Sequence, residues 1–151
     1  MADPFSDAAI VPGGRADYPA VAEVWEASVR ATHHFLAETD IRFFRPLIAD
    51  EFLPAVDLYC MKDGTGELLG FLGLAGRKVE MLFLRPDVMG RGLGARLLRF
   101  AVDERGADEV DVNEQNPAAV GFYERMGFRV AGRSEADGMG KPFPLLHMRV
   151  G

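Results

Sequence analysis

Residues 81–100, MLFLRPDVMGRGLGARLLRF, constrain this chain more than any other stretch. A run of large apolar residues stops at Pro86, glycines follow at alternate positions (Gly90, Gly92, Gly94), and a Leu/Arg-rich segment begins. The run reads as a buried central strand. Leu93, Leu97, Leu98, Ala101 and Val102 fall on one face of a helix after it. Glycines permit backbone angles that other residues avoid. The first N–H groups of a helix have no partner inside it and suit an anion. Arg91 and Arg96 add positive charge nearby. One reading is therefore a phosphate-binding turn, and the other is a strand-to-helix turn that binds nothing.

Two familiar alternatives fail on context. Gly90, Gly92 and Ala95 satisfy G-x-G-x-x-G/A, with Asp111 at a suitable distance along the chain. That fingerprint, however, needs a strand running almost directly into its first glycine, and Pro86, Asp87, Val88 and Met89 intervene here. A nicotinamide-dependent oxidoreductase is disfavoured accordingly. No Lys-Ser/Thr follows the last glycine, which removes the nucleotide P-loop.

The remaining elements alternate on both sides. DAAIVPGG reads as a first strand. Val21, Val24, Trp25, Ser28 and Val29 mark a helix, and DIRFFRPLIADEFLPAV marks a second helical region, interrupted by Pro46 and ended near Pro54. DLYCMKD and ELLGFLGLAG form a hairpin through Gly64–Gly66, and KVEMLFLRP follows as the third central strand. DEVDVNE is a strand. NPAAVGFYERMG is a helix with Asn116 as cap, Pro117 at its first position and Gly127 past its end. FRVAGR and LLHMRV are strands flanking the turn-rich SEADGMGKPFP. The order β-αα-βββ-α-β-α-β-β predicts a mixed sheet with helices on both faces.

Composition narrows the class. The 151 residues suit one domain over 1–151, with 48% hydrophobic and 26% charged residues. No apolar run approaches the roughly 18 residues of a membrane span. The start lacks the basic and long apolar regions of a secretory signal. The only cysteine is Cys60, so no internal disulfide forms and a cytoplasmic location is expected. A net charge of −6 argues against nucleic acid and leans towards a cationic or neutral substrate. His33, His34 and His147 lack metal-ligand spacing and no Cys-x-x-Cys exists, so no metal is expected. Cys60, in an apolar strand, reads as a core residue rather than a nucleophile.

Together, GRGLGARLL and NEQNPAAVGFYERMGF resemble the GNAT superfamily of acyl-CoA N-acetyltransferases. The second motif of that family is complete in Asn116, Ala119, Phe122, Tyr123, Gly127 and Phe128. Its first motif is present in Gly92 and Gly94, with Met89 where Gln or Arg is usual. The flanks ATHHFL and GRSEADGMGKPFPLLHM resemble its YjaB-type bacterial branch. The resemblance implies a mixed α/β fold whose mostly antiparallel sheet splays at the middle. It implies acetyl-CoA as cosubstrate, held by Met89, Gly90, Arg91, Gly92, Leu93, Gly94, Ala95 and Arg96 around its pyrophosphate. The strand at Leu82, Phe83 and Leu84, with Asn116 and Tyr123, would line its pantetheine arm.

The implied chemistry is direct attack by a primary amine in a ternary complex. Tyr123 is the implied general acid, and Glu80, His34 or water the base. Strand alternation would put Glu80 on one face with buried Leu82 and Leu84. Trp25, His33, His34, Phe35 and Asp137 are the expected acceptor-side residues. The acceptor is a small-molecule or peptide amine. Dimers are common among such folds, so a homodimer is among the allowed assemblies. A non-catalytic acyl-CoA sensor on the same fold is the competing class.

Overall fold

The computed structural model describes residues 5–151. In chain order the elements are β1 (Ala9–Pro12), α1 (Tyr18–Thr32), α2 (Glu38–Leu47), β2 (Asp57–Lys62), β3 (Leu68–Ala75), β4 (Lys78–Leu84), α3 (Leu93–Arg105), β5 (Glu109–Asn113), α4 (Pro117–Arg125), β6 (Phe128–Ser134) and β7 (Leu145–Val150). The strands form one sheet in the order β1-β2-β3-β4-β5-β7-β6. All neighbours are antiparallel except β4 and β5, which run parallel. This is the mixed, mostly antiparallel architecture that the residue pattern predicts. Among the described residues no helix is long and apolar enough to cross a membrane.

Two cores form, one on each face of the sheet. Val21, Val24, Trp25 and Val29 of α1 pack with Ile41, Ile48, Phe71 and Met81. On the other face Leu93, Leu97, Leu98 and Ala101 of α3 and Tyr123 of α4 pack with Leu72, Val79, Val110 and Val112. The helical spacing of these apolar positions is what commits each helix to one face. Cys60 is fully buried in the first core. Burial pushes its thiol pKa up to about 11, with Asp17 adding to the effect, so it stays a protonated packing group.

Pro46 does not interrupt the second helical region. It lies inside α2, and the chain then widens into a π turn over Ile48–Phe52 and a 3-10 turn over Leu53–Ala55. Proline removes one ladder donor. Burial of Ile41, Ile48 and Leu53 on either side of it holds the segment against the sheet despite that loss.

The middle of the sheet departs from regularity. Along β4, Met81 pairs with Gly73 and Val79 with Leu74, so Glu80 is skipped and forms a bulge. Two residues apart on a regular strand share a face. Here Val79 joins the α3–α4 core while Met81 joins the α1–α2 core, because the bulge reverses the phase. The expectation that Glu80 shares a face with buried Leu82 and Leu84 is therefore corrected. Glu80 is exposed, and both leucines are only half-buried. Beyond the bulge, β4 and β5 part: only Lys78 with Glu109 and Val79 with Val110 are in register.

Candidate active site

The parting of β4 from β5 opens a cleft through the sheet. On the α3–α4 side lies a cavity of about 440 Å³, and on the α1–α2 side one of about 550 Å³. His33, Glu80, Met81, Phe83, Asp111 and Asn113 line both, so the two meet at the splay. The first is walled by Leu82, Leu84, Met89, Gly90, Gly94, Asn116, Phe122 and Tyr123. The second is walled by Trp25, Phe44, Phe52, Lys78, Asp137, Met139 and Phe143.

The glycine loop opens α3 at the mouth of the first cavity. Gly90 and Gly92 have φ of 78° and 81°, left-handed values that favour glycine. A Cβ added at either position would meet nothing within 4 Å, so the space above the loop is open. The first intrahelical bond runs from Arg96 N–H to Gly92 O at 3.1 Å. The N–H groups of Leu93, Gly94 and Ala95 precede it and have no acceptor within the helix, the arrangement that suits an anion. Leu93 offers only its backbone, since its side chain is buried. Arg91 is exposed, with its guanidinium 5.9 Å from the centre of the Phe5 ring. Arg96 donates to the carbonyls of Phe5 and Ala8 at 3.2 and 2.7 Å and ties the N-terminal segment to α3.

Asn116 and Tyr123 come from α4, across the cleft from β4. Asn116 is buried, and its Oδ1 accepts from Ala119 N–H at 3.3 Å. The cap therefore uses only the oxygen and leaves the amide N–H₂ as a donor in the cavity wall. Tyr123 is packed edge-on by Phe122 and Phe128, with ring centres at 5.1 and 5.7 Å. Its ring is buried, and among the described residues its hydroxyl has no hydrogen-bond partner. Burial pushes its pKa above the ordinary tyrosine value, so the hydroxyl keeps its proton at neutral pH.

On the other side of the cleft stands His33, at the end of α1. Its Nδ1 lies 2.7 Å from Thr32 Oγ1, whose proton is donated to Ser28 O at 2.8 Å. Nδ1 must then be the donor, which leaves Nε2 as the free lone pair. Burial, with the charge of neighbouring His34, pushes the His33 pKa down to about 4, so the ring is neutral at pH 7. His34 itself is exposed and lines neither cavity. Adjacent residues at a helix end point in different directions, and His33 is the one turned inward. Phe35 packs tilted between His33 and Phe143, with ring centres at 5.3 and 5.7 Å, and lines neither cavity. Asp137 reaches the second cavity, but one of its oxygens also accepts the N–H groups of Met139 and Lys141, both at 2.9 Å.

Sequence reading missed Lys78 as a site residue and met Asp111 only in a rejected fingerprint. Lys78 Nζ lies 2.5 Å from Asp111 Oδ2 and 3.7 Å from Glu80 Oε1. Asp111 Oδ1 lies 2.7 Å from His147 Nδ1. Only the unpredicted neighbourhood of β4, β5 and β7 brings these groups together.

Comparison with known proteins agrees with this geometry. An acetyltransferase (GNAT) domain model matches residues 50–150. Peptidyl-lysine N-acetyltransferase YjaB of Salmonella typhimurium is 43% identical over 125 residues, covering 83% of this chain and 86% of that protein. The solution structure of apo-form YjaB from Escherichia coli superposes with a TM-score of 0.87 at 35% identity, covering 95% and 97% of the two chains. PaiA N-acetyltransferase from Thermoplasma acidophilum, in complex with coenzyme A, shares the fold at a TM-score of 0.70 and 21% identity over 95% and 99% of the chains. With a split sheet, a glycine-led helix and a buried tyrosine meeting in one cleft, and with these matches, the chain belongs to the GNAT acetyltransferase family.

Proposed function

We propose that this protein transfers acetyl from acetyl-CoA to the ε-amine of a lysine in a peptide or protein. The observation that carries this reading is the meeting of two cavities at the splay, with a partnerless buried phenol in one wall and a bulged carboxylate in the other. The chain fits the cosubstrate on its own features: open space over Gly90 and Gly92, free amides at the start of α3, and a β4 edge without a β5 partner beyond Val79. A fold neighbour was solved with coenzyme A, and the YjaB relative is named a peptidyl-lysine acetyltransferase.

When bound, acetyl-CoA supplies an acetyl thioester. The amides of Leu93, Gly94 and Ala95 hold its pyrophosphate, and the free edge of Leu82–Leu84 pairs with its amide arm. Asn116 donates to the same arm. The second cavity accepts the lysine: apolar walls of Trp25, Phe44, Phe83 and Phe143 suit the butyl stem, and Glu80 stands at the junction to meet the amine.

A lysine amine of pKa ~10.4 is mostly protonated at pH 7, and deprotonating it costs about 4.6 kcal/mol. Glu80, directly or through water, takes that proton. Tyr123, neutral and enclosed, gives its proton to the departing sulfur. His33 is neutral, and its low pKa makes it a weak base. The test is to incubate the purified protein with acetyl-CoA and a lysine-containing peptide. Thiol release should match acetyl gained on the lysine ε-amine by mass spectrometry. Thiol release no faster than spontaneous hydrolysis would remove the proposal.

A further inference from the structure

Lys78 stands at the apex of the splay. It opens β4 and is one of the two residues that pair with β5. Its ammonium bridges Asp111 at 2.5 Å and Glu80 at 3.7 Å. Behind Asp111, His147 Nδ1 lies at 2.7 Å, and His147 Nε2 lies 2.6 Å from Ser134 Oγ. A polar row thus crosses the sheet from β4 through β5 and β7 to β6.

Glu80 sits at the open end of this row. The register skips it, so no cross-strand neighbour fixes its direction. Its side chain is 39% exposed, and Lys78 is its ion-pair partner among the described residues. A long carboxylate at an unpaired bulge samples many rotamers unless something holds it.

We propose that Lys78 is a positioning residue for acetyl transfer: clamped to Asp111, it holds the Glu80 carboxylate at the junction of the two cavities, while His147 and Ser134 keep Asp111 in place. This rests on the reading of Glu80 as base. Burial lowers the Lys78 pKa, but the carboxylates of Asp111 and Glu80 outweigh it and leave the ammonium above the ordinary lysine value. For Asp111, burial acts upward, and Lys78 and His147 outweigh it and leave the carboxyl below its ordinary value. The clamp is therefore charged at neutral pH, and Lys78 is no competing nucleophile. A partly exposed ion pair contributes little to stability, so the consequence of losing it falls on geometry.

A double-mutant cycle tests this with the full chain, acetyl-CoA and the lysine peptide. Lys78→Met should lower kcat about tenfold while leaving the KM for acetyl-CoA within about twofold. Lys78→Arg, which keeps the charge, should recover most of the rate. In a Glu80→Gln background, Lys78→Met should cause no further loss, because the group it orients is already gone. An equal loss in both backgrounds would mark Lys78 as merely structural and overturn the proposal. So would an unchanged kcat for Lys78→Met alongside an impaired Glu80→Gln. A Glu80→Gln enzyme at wild-type kcat would instead remove the base reading itself, and the positioning role with it.

Discussion

Replacing Tyr123 by Phe removes one oxygen and nothing else. The ring stays between Phe122 and Phe128, at 5.1 and 5.7 Å, so packing is kept. The lost hydroxyl belongs to a residue lining the first cavity and has no hydrogen-bond partner among the described residues, so its removal breaks no internal hydrogen bond. Folding free energy should therefore stay level or rise by up to about 1 kcal/mol. Turnover should move the other way. Loss of a positioned general acid lowers kcat by about 10²–10³-fold, roughly 3–4 kcal/mol of barrier. Coenzyme A affinity should change little, since the proposed diphosphate site uses the backbone amides that open α3 and not this hydroxyl. The assay combines thiol release, thermal unfolding and CoA calorimetry on one preparation. Stability and kcat falling together would refute the argument, because Tyr123 would then be a structural tyrosine. An unchanged kcat would refute it too. Because burial raises the phenol's pKa, the wild-type rate should show no alkaline loss from Tyr123 where free tyrosine begins to ionise.

Three further outcomes follow from local geometry. His33 is held neutral with a pKa near about 4 against an ordinary 6.5, so on acidification the unfolded chain takes up a proton first. Stability should fall between those values, and His33→Gln should flatten the fall by an amount on the order of 1–3 kcal/mol in pH-dependent urea melts. Gly70→Ala would place a Cβ 2.5 Å from Leu84 Cδ2 and 2.7 Å from the Phe83 carbonyl; since backbone yields little, denaturant unfolding should show a loss of about 1–3 kcal/mol. Gly92→Val puts a branched side chain at a φ of 81°. It should cost about 1–2 kcal/mol of stability and raise the coenzyme A dissociation constant about tenfold by calorimetry.

The order of elements was legible because local signals carried it. The Asn-Pro start and Gly127 end of α4 are short-range chemistry, and the apolar periods of α1 and α3 point each helix at its core. The motif around Asn116 and Tyr123 was legible through its resemblance to the second motif of the GNAT family. Where tertiary contacts decide, the residue pattern was silent. Pro46 sits within α2 because the core on either side of it holds the segment. The bulge at Glu80 reverses a face that alternation alone would assign otherwise. Which of His33 and His34 turns inward depends on how α1 ends. The clamp around Lys78 depends on β7 lying beside β5, with Asp111 and His147 36 positions apart in the chain, and no local pattern announces that pairing.

The central claim is that the split between β4 and β5, with the amides that open α3, is built for coenzyme A. Titrating coenzyme A into the purified protein by calorimetry tests it most directly. A single site with a dissociation constant between about 1 μM and 1 mM is predicted, the range usual for enzyme substrates. No heat of binding at millimolar ligand, from a protein shown to be folded, would contradict it.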